Sequence, residues 1–218
     1  MYSTKHRAKV IDFTDPYMEV ASTLLLRKPP IATELKIKTA RDLLSQSEIK
    51  YGTLDTGVII RAFKNTNDTV YRMLWRKMQR FDPSVFTTTN EKGIERVRQE
   101  KYAFIIPSSI GEYIAMRLPC DLVTVDRFLM KRGYSLAVQK DSPLLLDINR
   151  ALYILNDIGD LDELYRKWWI DRSQCNGIKS SKIYRVQSSA AASNNCFISN
   201  SYLLLVICCS VLYLLRLS

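Results

Sequence analysis

The cysteines are the side chains of this sequence whose type and spacing could most readily do covalent chemistry. Cys120 and Cys175 lie in polar surroundings on either side of a helical region, whereas the other three cysteines lie in or near an apolar tail. In an extracellular protein the first two could pair as a disulfide, and in a reducing compartment they would stay free thiols. Their spacing alone leaves both possibilities open.

Other side chains with recognisable chemistry are few. The triplet Asn67-Asp68-Thr69 permits glycosylation of Asn67 in a secreted chain. The single histidine, His6, stands next to Arg7 and is expected to be solvated. The sequence contains no nucleophile elbow, phosphate-binding loop, zinc-ligand cluster or dinucleotide fingerprint. We therefore expect no enzymatic activity, no metal site and no cofactor.

The charge of the chain is strongly basic. Its 218 residues contain 32 Lys and Arg against 22 Asp and Glu, which gives a formal net charge of +10. The basic residues are scattered among acids without a long basic run or a nucleic-acid-binding module, so we do not expect a nucleic-acid partner. A small anionic ligand or a solvated basic surface fits this charge equally well.

The N-terminus carries no visible signal peptide. Met1 is followed by polar residues, and the first apolar run begins at Val10. For an exported domain, this start suggests a fragment or an incomplete gene model.

Alternating strand and helix patterns predict an α/β fold. The length suffices for one sizeable domain or for two small lobes. Strands are predicted at residues 10–13, 22–26, 49–54, 102–106 and 135–138. Helices are predicted at residues 40–46, 58–80, 90–99, 148–155 and 161–169. A further helix is predicted to begin at a capping box formed by Ser109 and Glu112, and the helix at 148–155 is predicted to stop at Gly159.

The sequence changes in character after Cys175. Residues 176–201 are rich in Ser, Ala and Asn and are predicted to form a linker. Residues 202–215 are apolar except for Ser210 and barely reach the length of a bilayer crossing. We predict a transmembrane segment there. A signal for a lipid anchor is the alternative, because a short apolar end follows small residues and a polar spacer.

A series of landmarks between residues 51 and 175 resembles the second half of the ligand-binding domain of ionotropic glutamate receptors. The landmarks are Tyr51-Gly52-Thr53, Met73-Leu74-Trp75, Pro83-Ser84-Val85-Phe86, Lys92-Gly93-Ile94, Tyr102-Ala103-Phe104, Glu112-Tyr113, Cys120, Gly133-Tyr134, Ser142-Pro143, and Lys167-Trp168-Trp169 with Cys175. The stretch Arg7-Ala-Lys-Val-Ile-Asp-Phe-Thr-Asp-Pro-Tyr-Met18 resembles the end of the receptors' first ligand-binding segment.

This resemblance implies a two-lobed clamshell of the periplasmic-binding-protein type (type II) in residues 1–175. Lobe 2 would occupy about residues 20–134 and be nearly complete, whereas lobe 1 would be partial, and an apolar C-terminal helix would follow the linker. In the family, the membrane segments that build the pore lie between the two ligand-binding segments. Here Pro29 is followed directly by Pro30, so the resemblance implies a chain without the pore.

The resemblance also assigns ligand-binding positions. Arg7 matches the arginine that binds the ligand's α-carboxylate, and a planar guanidinium suits that role. Val58 and Ile59, after Gly57, match the helix start whose N–H groups bind the ligand's distal acid. Pro107 stands where the family has the acid that pairs with the ligand's ammonium. Tyr2 replaces the threonine that helps to hold the ligand, so glutamate binding in the usual geometry is not expected.

The function implied by the resemblance is that of a receptor subunit or a fragment of one. The family conducts cations when a ligand closes the two lobes, and other receptor subunits would be partners. The alternative is a membrane-tethered module or decoy that captures a small ligand, either amino-acid-like or another small anion. Both interpretations place the chain in the cell membrane with its ligand-binding domain outside. The resemblance further implies a disulfide between Cys120 and Cys175.

Overall fold

Short strands and helices alternate along the chain in the computed structural model, which describes residues 1–29, 37–127 and 131–175. The strands are β1 (Ile11–Phe13), β2 (Met18–Val20), β3 (Ser22–Arg27), β4 (Lys50–Gly52), β5 (Tyr102–Pro107), β6 (Leu122–Arg127), β7 (Arg132–Tyr134) and β8 (Ala137–Gln139). The helices are α1 (Ala40–Ser45), α2 (Val58–Lys64), α3 (Thr69–Arg80), α4 (Asn90–Gln99), α5 (Ser108–Ala115), α6 (Leu144–Asp157) and α7 (Asp160–Tyr165). A 3-10 turn (Arg7–Lys9) precedes β1, and a π-helix (Arg166–Asp171) continues α7.

The central sheet has four strands in the order β4-β5-β3-β6. β4 and β5 are parallel, and β3 is antiparallel to both β5 and β6. The middle strands are continuous apolar runs because helices cover both of their faces. Leu24 and Leu25 of β3 and Phe104 of β5 are at most 1% exposed. The sheet is therefore the centre of the core.

The helices supply the rest of this core. α3 contributes Leu74 and Met78, which are fully buried. α4 approaches the sheet closely, since a Cβ atom on Gly93 would lie only 2.5 Å from the ring of Phe104. A small residue at this position thus allows the helix to lie directly on an aromatic side chain.

Two antiparallel ribbons join segments that are far apart in sequence. β1 pairs with β8, and β2 pairs with β7. In the first ribbon, the Nζ atom of Lys140 donates a 2.6 Å hydrogen bond to Asp12 Oδ1, and the backbone N–H of Asp141 donates to Asp12 Oδ2 at 2.8 Å. The ribbons therefore bring the N-terminal segment against the chain that follows the central sheet.

The C-terminal helices are exposed in comparison with the sheet. α6 has no buried residue, and its apolar side chains at Leu144, Leu146, Tyr153 and Ile154 are each more than half exposed. A disulfide between Cys120 and Cys175, with Cα atoms 5.5 Å apart, ties the end of these helices to the turn after α5. Among the described residues, no helix has both the length and the apolarity to cross a membrane.

Two predictions about the helices are wrong. Residues 58–80 form two helices instead of one. α2 ends at Lys64 with Asn65 as its C-cap, and the side chain of Asp68 accepts hydrogen bonds from the N–H groups of Val70 and Tyr71 at the start of α3. The capping box at Ser109 and Glu112 is absent, because α5 already begins at Ser108 with Pro107 as its N-cap. The predicted linker (176–201) and apolar segment (202–215) lie outside the described residues.

Candidate functional site

The carboxyl ends of the two parallel strands, β4 and β5, define the candidate binding edge of the sheet. β4 leads through a short loop into α2, and β5 leads directly into α5. Ligands of open α/β sheets bind outside the carboxyl ends of such strands. The hydroxyl of Thr53, just after β4, donates a 2.9 Å hydrogen bond to the carbonyl of Ile105 in β5, which fixes the loop against the neighbouring strand.

The predicted pair Val58 and Ile59 forms the first turn of α2. Gly57 is the N-cap residue with φ of +101°, a conformation that favours glycine. Ile59 is 8% exposed and belongs to the core, whereas Val58 is half-buried. The first N–H groups of a helix have no acceptor within it. The side chains of this turn pack against the protein, and an anion would bind to its backbone N–H groups.

Pro107 lies at the junction of β5 and α5. It is the last residue of the strand and the N-cap of the helix, with φ of −55° and ψ of 136°. It brings neither charge nor an N–H group to this edge. The next residue, Ser108, is buried, and its N–H donates to the carbonyl of Ala21 in a 2.7 Å bond. Pro107 and the start of α2 thus lie at one edge of the sheet.

Contacts of Tyr2 and Tyr134 connect Arg7 to α5, which begins at this edge. Its Nη1 atom donates a 3.0 Å hydrogen bond to the carbonyl of Tyr2, whose ring centroid lies 4.7 Å from that of Tyr134. The hydroxyl of Ser109, in the first turn of α5, donates to the hydroxyl of Tyr134 at 3.4 Å. A continuous series of contacts therefore connects Arg7 to the beginning of α5.

The Tyr2 phenol is held neutral. Desolvation by burial, and then the neighbouring Tyr134, raise the pKa of Tyr2 well above its usual value. Sequence reasoning recognised Tyr2 as a departure from the family pattern but did not foresee its partner. Gly133-Tyr134 was identified only as a family landmark. No local sequence signal pairs it with Tyr2, and an isolated antiparallel β-bridge brings the two tyrosines together.

The remaining residues singled out in the sequence have surface or packing positions. Asn67 is exposed in the loop between α2 and α3, where a glycan would have space. His6 is exposed at the 3-10 turn. Trp169 packs in parallel on Tyr165, with centroids 5.0 Å apart, and donates a hydrogen bond to α5. The described part of the chain contains no cluster of His, Cys, Asp or Glu that could hold a metal ion.

The chain is similar to known proteins over most of its length. The sequence profile of the bacterial extracellular solute-binding proteins, family 3, matches residues 1–171. Glutamate receptor 3 of Mus musculus is 41% identical over 160 residues, which are 72% of this chain and 18% of that protein. Glutamate receptor 3 of Homo sapiens is 43% identical over 141 residues, 64% of this chain and 16% of that protein. The chain thus spans less than a fifth of the length of these relatives.

A solved structure supports the same assignment. The Drosophila muscle GluRIIB complex with glutamate matches with a TM-score of 0.67 and 30% identity, covering 78% of this chain and 66% of that one. The fold is therefore the α/β fold of periplasmic binding proteins. The chain belongs to the family 3 extracellular solute-binding proteins, and its domain is of the ionotropic glutamate receptor family.

Proposed function

We propose that this chain is the ligand-binding module of an ionotropic-glutamate-receptor-like subunit and that it captures a small anionic ligand. The observation that carries the proposal is that the parallel strands β4 and β5 lead from their carboxyl ends, at one edge of the sheet, into α2 and α5. This arrangement occurs in a domain whose structural match was determined with glutamate. The basic net charge of +10 favours the approach of an anion.

Three positions would bind the ligand. Arg7 would bind one carboxylate, because a guanidinium has five N–H donors and its bond to the Tyr2 carbonyl leaves others for a bidentate contact. The first turn of α2, at Val58 and Ile59, would bind a second acid through its backbone. Pro107 would contribute no charge, so an ammonium group there would lose its water without gaining a partner.

The lobe boundaries follow from the same proposal. Residues 20–134 would be lobe 2, since they contain the whole central sheet. The N-terminal segment and residues 135–175 would belong to a partial lobe 1. The exposed apolar side chains of α6 fit a lobe whose core is incomplete, and about a third of the matching solved chain has no counterpart here.

A pair of matched ligands tests the binding proposal. Glutarate has the two carboxylates of glutamate without its ammonium group. In calorimetric titrations of the full chain, we expect glutarate to bind with a Kd below about 1 mM and glutamate to bind at least about tenfold more weakly. Saturable binding of glutamate at equal or higher affinity would contradict the assignment of Pro107. Absence of binding by both would contradict the anionic ligand class.

The role of Arg7 is tested by a matched substitution in the same turn. Arg7→Ala should weaken glutarate binding by about thirtyfold, because the charged partner of a carboxylate contributes about 2 kcal/mol or more. Lys9→Ala, on an exposed residue of the same 3-10 turn, should leave the affinity unchanged. Equal losses in both variants would show a diffuse charge effect instead of a site.

We also propose that the chain is tethered outside the cell membrane and lacks the pore of the channel family. The disulfide fits an oxidising, extracellular compartment. Only twelve residues, 28–39, connect β3 to α1, and about 20 are needed for one membrane-spanning helix. Expressed alone, the chain should give no ligand-evoked current in patch recordings. A reproducible current in cells without other subunits would contradict the proposal.

The decoy alternative differs in its effect on receptor subunits. A decoy would capture the ligand, or associate with full receptors, without contributing to their current, whereas a subunit would be part of the conducting assembly. Co-immunoprecipitation with co-expressed full-length receptor subunits tests the association, and the ligand-evoked current measured from those cells separates the two. We favour association, because the match to the receptors extends over 72% of the chain.

A further inference from the structure

A cavity of about 580 Å³ lies between α5, the strand β7 and the last helices. None of Arg7, Val58, Ile59 and Pro107 lines it. Its walls come from the β2 region, β7, α5 and the last helices, and they are mainly aromatic. The aromatic lining residues are Tyr17, Tyr113, Tyr134, Tyr165, Trp168 and Trp169. This volume lies in the range of cavities that bind small organic molecules.

The aromatic walls have a defined geometry. The rings of Tyr165 and Trp169 are nearly parallel, with an interplanar angle of 7° and centroids 5.0 Å apart. Tyr113 meets the Trp169 ring at 71° with a centroid distance of 5.9 Å. The Trp169 indole is fixed by its hydrogen bond to the Ser109 carbonyl. Rings held in this way offer flat apolar surfaces to another ring.

Ser109 is the one non-aromatic polar residue among the lining residues, beside the hydroxyls of the tyrosines. The hydroxyl of Ser109 lines the cavity and makes a 3.4 Å hydrogen bond to the Tyr134 hydroxyl. A hydroxyl group has one donor and two acceptor sites, so a single long bond leaves Ser109 able to bind a hydroxyl of a ligand. The aromatic walls alone would bind a ligand ring in several orientations, and a hydrogen bond to Ser109 would select one of them.

The charged side chains near the cavity already have interaction partners within the protein. Arg117 stacks on the Tyr113 ring at 4.3 Å and donates to the carbonyl of Arg172 at 2.6 Å. Arg172 lies 4.0 Å from the centroid of the Trp168 ring. Glu112 accepts a hydrogen bond from the Tyr165 hydroxyl. No Lys, Arg, Asp or Glu is among the lining residues, so an ionised ligand would lose its water without a charged partner.

We propose that this cavity is a binding site for an uncharged molecule with a flat ring and a hydroxyl group, separate from the anion site at the edge of the sheet. The ring would stack against the aromatic walls, and the hydroxyl would bond to Ser109. The site joins α5 to the last helices, so its occupation would hold these elements together. The proposal does not depend on the function of the anion site.

Equilibrium dialysis of the full chain against 2-naphthol tests the proposal. We expect one saturable site with a Kd of roughly 10 µM to 1 mM, the range that ligand efficiency allows for a molecule of this size. The carboxylate analogue 2-naphthoate should bind at least about tenfold more weakly at neutral pH. Arg7→Ala should not change the binding of 2-naphthol. Absence of saturable binding, or tighter binding of 2-naphthoate, would overturn the proposal.

A substitution at the cavity mouth locates the site. Leu164 lines the cavity and is 50% exposed, so Leu164→Trp fills space there with little cost to the fold. We expect this variant to bind 2-naphthol at least about tenfold more weakly. The matched control is Leu146→Trp, at a position on α6 that is 59% exposed and outside the cavity. Unchanged binding by Leu164→Trp, or an equal loss in both variants, would overturn the assignment.

Discussion

The indole Nε1 atom of Trp169 donates a 2.9 Å hydrogen bond to the backbone carbonyl of Ser109, 60 positions earlier in the chain. Ser109 lies in the first turn of α5, two residues after Pro107. The contact therefore anchors the C-terminal helices beside the edge where the ligand is proposed to bind. Its neighbour Trp168 is 41% exposed and stacks with Arg172. The two adjacent tryptophans thus have different structural roles.

Trp169→Phe should destabilise the protein more than Trp168→Phe. The first substitution removes the hydrogen bond to Ser109 and leaves a part-buried carbonyl without this donor, at a cost of about 1 kcal/mol or more. The second replaces a partly exposed indole with a phenyl ring in a surface stack and should cost less than about 0.5 kcal/mol. Urea unfolding followed by circular dichroism gives both values. Equal losses would show that the indole nitrogen of Trp169 contributes no specific stability.

The disulfide between Cys120 and Cys175 should be a major source of stability. The bonded residues are 55 positions apart, and closing a loop of that length in the unfolded chain is worth about 4 kcal/mol in the chain-entropy model. We expect a Cys120→Ser, Cys175→Ser double variant to lose about that amount. Non-reducing peptide mapping of the secreted wild-type protein should find the cross-linked peptide. Free thiols at both positions would contradict the pairing.

The core of α3 provides a matched test of packing. Met78 is 1% exposed, whereas Met73 on the same helix is 47% exposed. Met78→Ala should cost about 2–5 kcal/mol because it leaves a cavity in the core. Met73→Ala should change stability by less than about 0.5 kcal/mol. Similar losses from the two substitutions would mean that α3 presents another face to the sheet.

The first β ribbon should weaken in acid. The hydrogen bond from Lys140, followed by that from the Asp141 N–H, lowers the pKa of Asp12 below its usual value. The folded chain therefore binds this proton more weakly than the unfolded chain does. Its stabilising effect is complete above the unfolded pKa of about 4 and is lost as the pH falls through the folded pKa.

A substitution series tests this pH dependence. The stability difference between wild type and Asp12→Asn should be larger at about pH 6 than at about pH 2, where the carboxylate is protonated. Lys140→Gln should produce part of the same change, and the two substitutions should not be additive because they remove one pair. A difference that is constant from pH 6 to pH 2 would exclude the pair as the cause.

The two middle strands of the central sheet were predictable because each contains a run of apolar residues, and the structure confirms strands at β3 and β5. The edge strand β6 was missed, because Thr124 and Asp126 interrupt its apolar residues. The division of residues 58–80 was missed because apolar residues recur with helical spacing on both sides of the break, and only the capping by Asp68 separates the helices. β2 and β7 were missed because each is three residues long and gains its structure from a distant partner.

The candidate site was predictable to a smaller extent. Family landmarks indicated Arg7, the start of α2 and Pro107, because these positions lie in recognisable sequence motifs. The contacts of Tyr2 with Tyr134 and of Ser109 with Trp169 link parts of the chain that are far apart. Such contacts depend on how the ribbons and the last helices pack, which no local sequence pattern specifies.

Restoring an acid at position 107 should change the ligand preference. Pro107→Glu would place a carboxylate at the start of α5, where the ammonium of glutamate lacks a partner, and Pro107→Gln is the neutral control of similar size. Both residues can adopt the backbone angles of Pro107, φ of −55° and ψ of 136°. Both variants should therefore fold.

We expect Pro107→Glu to bind glutamate at least about tenfold more tightly than Pro107→Gln does, because the new pair of opposite charges offsets the desolvation of the ammonium. The same carboxylate should repel glutarate, so Pro107→Glu should bind glutarate more weakly than Pro107→Gln. Calorimetric titration of both variants with both ligands gives the four affinities. If the two variants show the same ratio of glutamate to glutarate affinity, position 107 does not face the ligand, and its proline is a feature of the junction between β5 and α5 alone.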